Sequence, residues 1–190
     1  MRVIAGSARS LPLKAPEGLE TRPTADRIKE TLFNMLQTDV PGCVFVDLFS
    51  GTGGIGIEAL SRGARKAYFV ENAARAAACI QQNLAFTKLQ ERAVLLKQDA
   101  CSALGGIREE QVDIIFMDPP YDCGHEQAVL ALLGEKSYVT QDTLIVVESS
   151  LKTDFSWLEE TGFRILEKKG KPVEKHYRTN KHVFIKRTPL

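Results

Sequence analysis

A chain of 190 residues, 44% hydrophobic and 26% charged, is long enough for one domain whose sheet is covered on both faces. No apolar run reaches the length of a membrane span, and Met1 to Gly6 lack the apolar core of a secretion signal, so a cytoplasmic protein is expected. The net charge of +1 hides an uneven distribution: residues 1–14 carry +3, residues 164–190 carry +7, and the middle is left with −9. Basic ends on an acidic body point either to a polyanion gripped by the termini or to a solvated Lys/Arg-rich edge strand. Cys43, Cys79, Cys101 and Cys123 have no short pair spacing and read as reduced thiols in small apolar slots. The three histidines are scattered, and no metal is expected.

In chain order, residues 2–14 place Val3, Ala5, Ala8, Leu11 and Leu13 around Gly6-Ser7, a small hairpin with Arg9 and Ser10 past its turn. After a loop with Pro16, Gly18 and Pro23, Thr24 is a candidate N-cap with Asp26 in the first turn. The stripe Ile28, Leu32, Met35 and Leu36 predicts a helix over 25–36. Strand and helix then alternate: strands over 44–49, 67–71, 94–98, 112–117 and 144–148, and helices over 54–62, 73–84, 126–133 and 155–161. Two last strands, 163–169 and 182–186, have no helix between them and must be antiparallel. The alternation specifies an α/β fold with a doubly wound, mostly parallel, seven-stranded sheet. Residues 1–40 form a hairpin-and-helix extension, and 41–190 a single compact unit.

Two stretches carry the chemistry. Gly51-x-Gly53-x-x-Gly56 follows the strand ending in Asp47-Leu48-Phe49-Ser50 and opens a helix, a weak nucleotide fingerprint on its own. Asp118-Pro119-Pro120-Tyr121 directly follows another apolar strand. In such a sheet ligands sit beyond the C-terminal strand ends, where Asp47, Glu71, Asp99 and Asp118 fall in order. Glu71 is placed to accept both hydroxyls of a ribose, or simply to flank the next helix. Asp99 either accepts from an adenine amine or caps the turn Asp99-Ala100-Cys101-Ser102.

A nicotinamide dinucleotide and S-adenosylmethionine both fit that geometry. Tyr177-x-x-x-Lys181 superficially matches a dehydrogenase pair but falls between two strands, and is read as a coincidence of a loop. The Asp118 turn favours methyl transfer to an exocyclic amine. The lone pair of such an amine is delocalised into its ring, and acceptors on its two N–H bonds draw it toward tetrahedral geometry. Asp118 supplies one acceptor and the Pro119 carbonyl another, while prolines bring no N–H. Tyr121 offers a face for a base taken out of its stack.

Arg22-Pro23-Thr24-x-Asp26-Arg27-x-Lys29-Glu30-Thr31-Leu32-Phe33-Asn34, then Asp47-Leu48-Phe49-Ser50-Gly51-Thr52-Gly53, then Asp118-Pro119-Pro120-Tyr121, closely resembles the RsmD family. These are bacterial methyltransferases of small-subunit ribosomal RNA that modify guanine at N2. The resemblance covers nearly the whole chain and implies a Rossmann-like class I methyltransferase fold. It implies S-adenosylmethionine as cofactor, S-adenosylhomocysteine as product, and 16S rRNA as partner. It also implies cofactor contacts at Asp47, Ser50, Gly51, Thr52, Gly53, Glu71, Asn72, Asp99 and Ala100, and amine positioning by Asp118, Pro119, Pro120 and Tyr121. RNA-side roles fall to Arg9, Arg22, Thr24, Arg27 and Tyr121. Asn72-Ala73-Ala74 departs from the family's usual continuation after Glu71. A monomer is expected, since RNA would occupy one large face. The same amine logic would serve DNA adenine N6 or a protein glutamine, and a non-catalytic RNA-binding assembly factor is the alternative outside enzymes.

Overall fold

A computed structural model describes residues 1–15, 23–121 and 123–189, with only the backbone of 23–25. Five strands alternate with helices: β1 Val44–Leu48, β2 Lys66–Val70, β3 Ala93–Leu96, β4 Ile114–Met117 and β5 Leu144–Ser150. The helices are α1 Pro23–Met35, α2 Gly54–Ser61, α3 Ala74–Thr87, α4 Ala100–Ala103 and α5 His125–Gly134. Short strands β6 Phe163–Ile165, β7 Glu167–Lys168, β8 Lys171–Pro172 and β9 Glu174–His176 lead to the long β10 Asn180–Arg187. The main sheet runs β3-β2-β1-β4-β5-β10-β6, with β9 also pairing β10. Strands β1 to β5 pair in parallel, while β10 is antiparallel to β5, β6 and β9.

The mostly parallel sheet and its antiparallel close follow the sequence reading, and β9 brings the sheet to eight strands. Within the long final segment the structure adds detail: 163–169 splits at Leu166 into β6 and β7, and β7 pairs β8 in a separate two-stranded ribbon. Helix α1 begins at Pro23, so Thr24 lies inside its first turn and is not the N-cap. Proline suits that turn, where its missing N–H would have had no partner within the helix.

Side-chain alternation along the parallel strands builds two cores. Val44, Val46 and Leu48 of β1 join Ile115, Met117, Ile145 and Val147 beneath α4 and α5. Phe45 points the other way, with Phe69, Phe116 and Val146, beneath α1, α2 and α3. Val3, Ala8 and Leu13 of the N-terminal segment and Leu32, Phe33 and Leu36 of the α1 region belong to this second core.

The predicted hairpin is reduced to one bridge, Arg2 to Pro12, because its turn is used to dock on α2. The Ser7 N–H donates to Ser61 O at 2.8 Å, satisfying a carbonyl at the helix end. Ser61 Oγ accepts from the Ala8 N–H at 2.9 Å and donates to Ala5 O at 2.6 Å. Gly6 has φ +84°, and a Cβ there would lie 1.9 Å from Ser61 O. Gly6→Ala should therefore destabilise the fold by about 1–3 kcal/mol, read as a lower Tm. An unchanged Tm would mean the docked turn contributes nothing.

Candidate active site

The strand order reverses between β1 and β4, whose last residues, Leu48 and Met117, are register partners. The loops that follow them splay apart there, and the crevice between them is the ligand position of a doubly wound sheet. It holds a cavity of about 670 Å³ lined by Phe49, Val70, Glu71, Asn72, Gln98, Asp99, Ala100 and Cys101 from one side. Asp118, Pro119, Pro120, Tyr121, His125 and Val129 close the other. The whole Asp118-Pro119-Pro120-Tyr121 turn lines this cleft, and the glycine stretch reaches it through Phe49.

The β1 loop turns through left-handed conformations at Phe49 (φ +64°), Gly51 (+55°) and Gly53 (+77°). Glycine tolerates this and phenylalanine does not, so Phe49 is held there against its own preference. Its ring lines the cavity 5.8 Å from His125.

Glu71 reaches across the loop: Oε2 accepts from the Gly51 N–H at 2.8 Å and Oε1 from the Ala73 N–H at 2.8 Å. Each oxygen keeps further acceptor capacity for a ligand. Asp47, an expected cofactor contact, does not line the cavity. It is buried, 1% exposed, and Oδ2 accepts from the Gly56 N–H at 2.9 Å in the first turn of α2. Burial, offset in part by that bond and reinforced by the Glu71 charge, pushes its carboxyl up to about 7.

Ser50 is turned inward too, donating to Asp47 O at 2.6 Å and accepting from the Val70 N–H at 2.9 Å. Thr52 Oγ1 faces Met1 Sδ at 3.7 Å, and the Thr52 carbonyl accepts from Asn83 Nδ2 at 3.0 Å. Asp47, Ser50, Gly51, Thr52 and Gly53 shape the loop from behind, and none lines the cavity.

Asp99 caps α4 by accepting from the Ser102 N–H at 3.0 Å, and it also lines the cavity. Its Ser102 hydrogen bonds hold its carboxyl below the usual range.

Asp118 is open to the cleft, yet protein surrounds it on its other sides, with Glu148 and Asp47 as neighbouring charges. Burial first, and those two carboxylates next, push it up to about 8. The Tyr121 hydroxyl donates to Glu148 Oε1 at 3.2 Å while its ring stays 38% exposed toward the cavity mouth. Burial and the nearby carboxylates raise its phenol well above the ordinary range.

Arg9 and Arg27 come together elsewhere, in a separate polar cavity with Arg2, Ser10, Asp26 and Glu30. Arg22 and the Thr24 side chain lie outside the described residues. Gln98 and His125 were not singled out from the sequence, Phe49 entered only as part of the strand end and Cys101 only as a thiol; a lone histidine at a helix start carries no pattern. The cysteines need correcting as well, since Cys101 lines the cleft and Cys123 is exposed, leaving only Cys43 and Cys79 buried. Burial pushes the Cys43 thiol up to about 12.

The fold is that of the class I methyltransferases. An Escherichia coli protein assigned to the methyltransferases, yhhF, superposes with a TM-score of 0.82, covering 100% of this chain and 99% of its own at 28% identity. Residues 1–177 match the family model described as conserved hypothetical protein 95, and the chain belongs to this family, the RsmD family. Two relatives called ribosomal RNA small subunit methyltransferase D fit that assignment. The Haemophilus influenzae protein is 37% identical over 78% of this chain and 78% of its own length. That of Escherichia coli is 34% identical over 80% and 76%.

Proposed function

We propose that the protein transfers a methyl group from S-adenosylmethionine to the N2 amine of a guanine in 16S rRNA of the small ribosomal subunit. The observation that carries this reading is one cleft lined both by Glu71 and Asp99 and by the acceptor wall Asp118-Pro119-Pro120. The two relatives called ribosomal RNA small subunit methyltransferase D supply the substrate class.

The donor set fits this cofactor. Glu71, Asp99 and Asp118 line the cleft, and no lysine or arginine does among the described residues. That charge suits a sulfonium cation and repels a pyrophosphate. A dinucleotide would need free N–H groups at the glycine loop, but Glu71 already accepts from Gly51 and Asp47 from Gly56. Glu71, Asn72, Asp99 and Ala100 would hold the cofactor, with the 50–53 loop braced behind Glu71. Bound there, it supplies an electrophilic methyl carbon.

The chain's own residues do the rest. A flipped guanine stacks on Tyr121, and its amine donates one N–H to the Asp118 carboxylate and one to the Pro119 carbonyl. The lone pair is then aimed along the line of displacement, and alignment supplies most of the acceleration. The amine must lose a proton as it is methylated, and Asp118, with its raised pKa, can take it at the carboxylate oxygen. Arg9 and Arg27, with Arg22 and Thr24, are proposed to contact RNA phosphates on an extension formed by residues 1–40.

Labelled cofactor with small subunits from cells lacking the gene tests the whole reading. Label recovered as N2-methylguanine in 16S rRNA is expected, and absence of label beside an active control overturns it. A pH prediction follows as well. The acceptor form of Asp118 is the carboxylate, whose pKa is raised to about 8. The kcat/KM should climb about tenfold per pH unit below that value and level above it. A sulfonium nearby favours the charged carboxylate, so the kcat profile should break at lower pH. Flat profiles between pH 6 and 9 would remove Asp118 from this role.

A further inference from the structure

Behind Tyr121 runs a line of polar side chains that the chemistry above does not use. The Glu148 carboxylate on β5 accepts from the Tyr121 hydroxyl on Oε1 at 3.2 Å, and from Asn180 Nδ2 on the same oxygen at 2.5 Å. His182 Nε2 meets Glu148 Oε2 at 2.9 Å, and Tyr177 Oη meets His182 Nδ1 at 3.2 Å. A carboxylate is acceptor-only, so Nε2 carries the proton, and in the neutral ring Nδ1 accepts from Tyr177. The bonds then run in one direction, Tyr177 to His182 to Glu148, and Tyr121 closes on the same group.

The surroundings make this line rigid. His182 is fully buried and lies directly across from Glu148 in the β5–β10 pairing. Its ring packs edge-on against Phe116 at 5.9 Å and Tyr177 at 5.0 Å. The neighbouring pairs on one side are apolar, Val183 with Val147, Phe184 with Val146 and Ile185 with Ile145, and on the other polar, Lys181 with Ser149 and Asn180 with Ser150. A buried polar line is weak evidence for stability. What the line does instead is end on the ring at the mouth of the cleft.

We propose that Glu148, with Asn180, His182 and Tyr177 behind it, is the positioning group that fixes the Tyr121 ring and hence the plane of the base stacked on it. This rests on the reading of Asp118 to Tyr121 as the amine site. A half-exposed ring tethered only at Cα can swing about χ1, and a hydrogen bond at its far end stops that swing. A displacement of about 1 Å at the reacting amine can cost 10²-fold in rate.

The test compares Glu148→Gln, Tyr177→Phe, Tyr121→Phe and the Tyr121→Phe/Glu148→Gln double variant. Steady-state methylation of small subunits is read beside NMR relaxation of the Tyr121 ring in the protein alone. Glu148→Gln should lower kcat about tenfold, with acceptor KM and cofactor Kd within about threefold. The double variant should be no worse than the poorer single. One amide oxygen beside an N–H cannot serve Tyr121, Asn180 and His182 as the carboxylate does, so both changes weaken one link. In Glu148→Gln the ring signal should show added motion, and Tyr177→Phe should show a smaller change of the same kind.

Additive losses in the double variant, or an unaltered ring signal in Glu148→Gln, overturn the proposal. Should Glu148→Gln not fold, an unaltered ring signal in Tyr177→Phe does so. The ring measurement needs no acceptor. If the unsubstituted protein methylates no guanine, the proposed function falls while the ring result still decides the positioning role.

Discussion

Asp118→Ala should cut methyl transfer about 10²–10³-fold, the scale for removing one preorganised polar contact to a reacting group. Cofactor Kd should change little, since Glu71 and Asp99 hold the opposite half of the cleft. The fold should survive. The Asp118 carboxyl sits at about 8, above its unfolded value near 3.8, so the folded state binds the extra proton between those pH values. Its contribution to stability therefore falls as pH rises through that window. Removing the carboxyl removes this penalty, and Tm near pH 8 should hold or rise. An active site that gains stability when disabled is the expected trade-off for a strained functional group. Asp118→Asn keeps one acceptor oxygen but adds a competing donor, and should lie between the wild type and alanine. Single-turnover methylation with matched melting curves checks all three. An alanine variant with near-normal turnover, or one that melts well below the wild type at pH 8, would defeat the assignment.

Much of the cleft was legible because its parts are contiguous. A strand, a glycine turn and a helix start lie within ten residues, and the Asp-Pro-Pro-Tyr turn within four. Glu71 and Asp99 were legible as the last polar residues of predicted strands, and Glu71 does line the cleft. Asp47 lies beside the end of β1, and α2 follows so closely that its carboxylate turns back to the Gly56 N–H. Spacing cannot tell a carboxylate that faces a ligand from one that caps its own helix.

The Tyr121–Glu148–His182–Tyr177 line was out of reach, since β5 and β10 bring together residues more than thirty positions apart. Tyr177 was noticed only as part of a dehydrogenase-like pair. Its partner is His182, while Lys181 Nζ lies 5.3 Å from the Phe155 ring centroid. The β7–β8 ribbon was hidden too, in a Lys-rich run with no apolar alternation. Short, exposed pairs are held by turn geometry and leave no hydrophobic signature.

One further signal was present and passed over: an acid in the middle of the apolar helix Gly54–Ser61. Glu58 is fully buried, and its oxygens accept from the Ile4 N–H at 2.8 Å and the Ala5 N–H at 3.0 Å. Lys29 Nζ stands 3.4 Å away and Arg62 Nε 2.8 Å. Lys29 is itself buried and donates to Arg2 O at 2.7 Å, so one cluster ties the N-terminal segment and α1 to α2. Glu58→Ala should destabilise the protein by about 3–5 kcal/mol, the range for stripping one partner from a buried pair. For a chain of this size that is roughly 6–20 °C in Tm.

The loss should depend on pH. Burial lowers the Lys29 pKa and Glu58 opposes that shift, so without Glu58 the ammonium is left with burial as its dominant influence. Below the ordinary lysine value of 10.5 the variant's folded state then binds fewer protons than its unfolded state, and its stability should recover as pH rises toward that value. Adding Lys29→Met removes the stranded charge and should restore part of the loss at neutral pH. The Ile4 and Ala5 N–H groups still lack their acceptor, so restoration should stop short of the wild type. A double variant no more stable than Glu58→Ala would show that the charge was never the cause. At a temperature where Glu58→Ala remains folded, the N-terminal segment carrying Arg9 loses the Ile4 and Ala5 part of its attachment to α2. The acceptor KM should then rise while cofactor Kd stays put, the converse of the Asp118→Ala signature, in which turnover itself is lost.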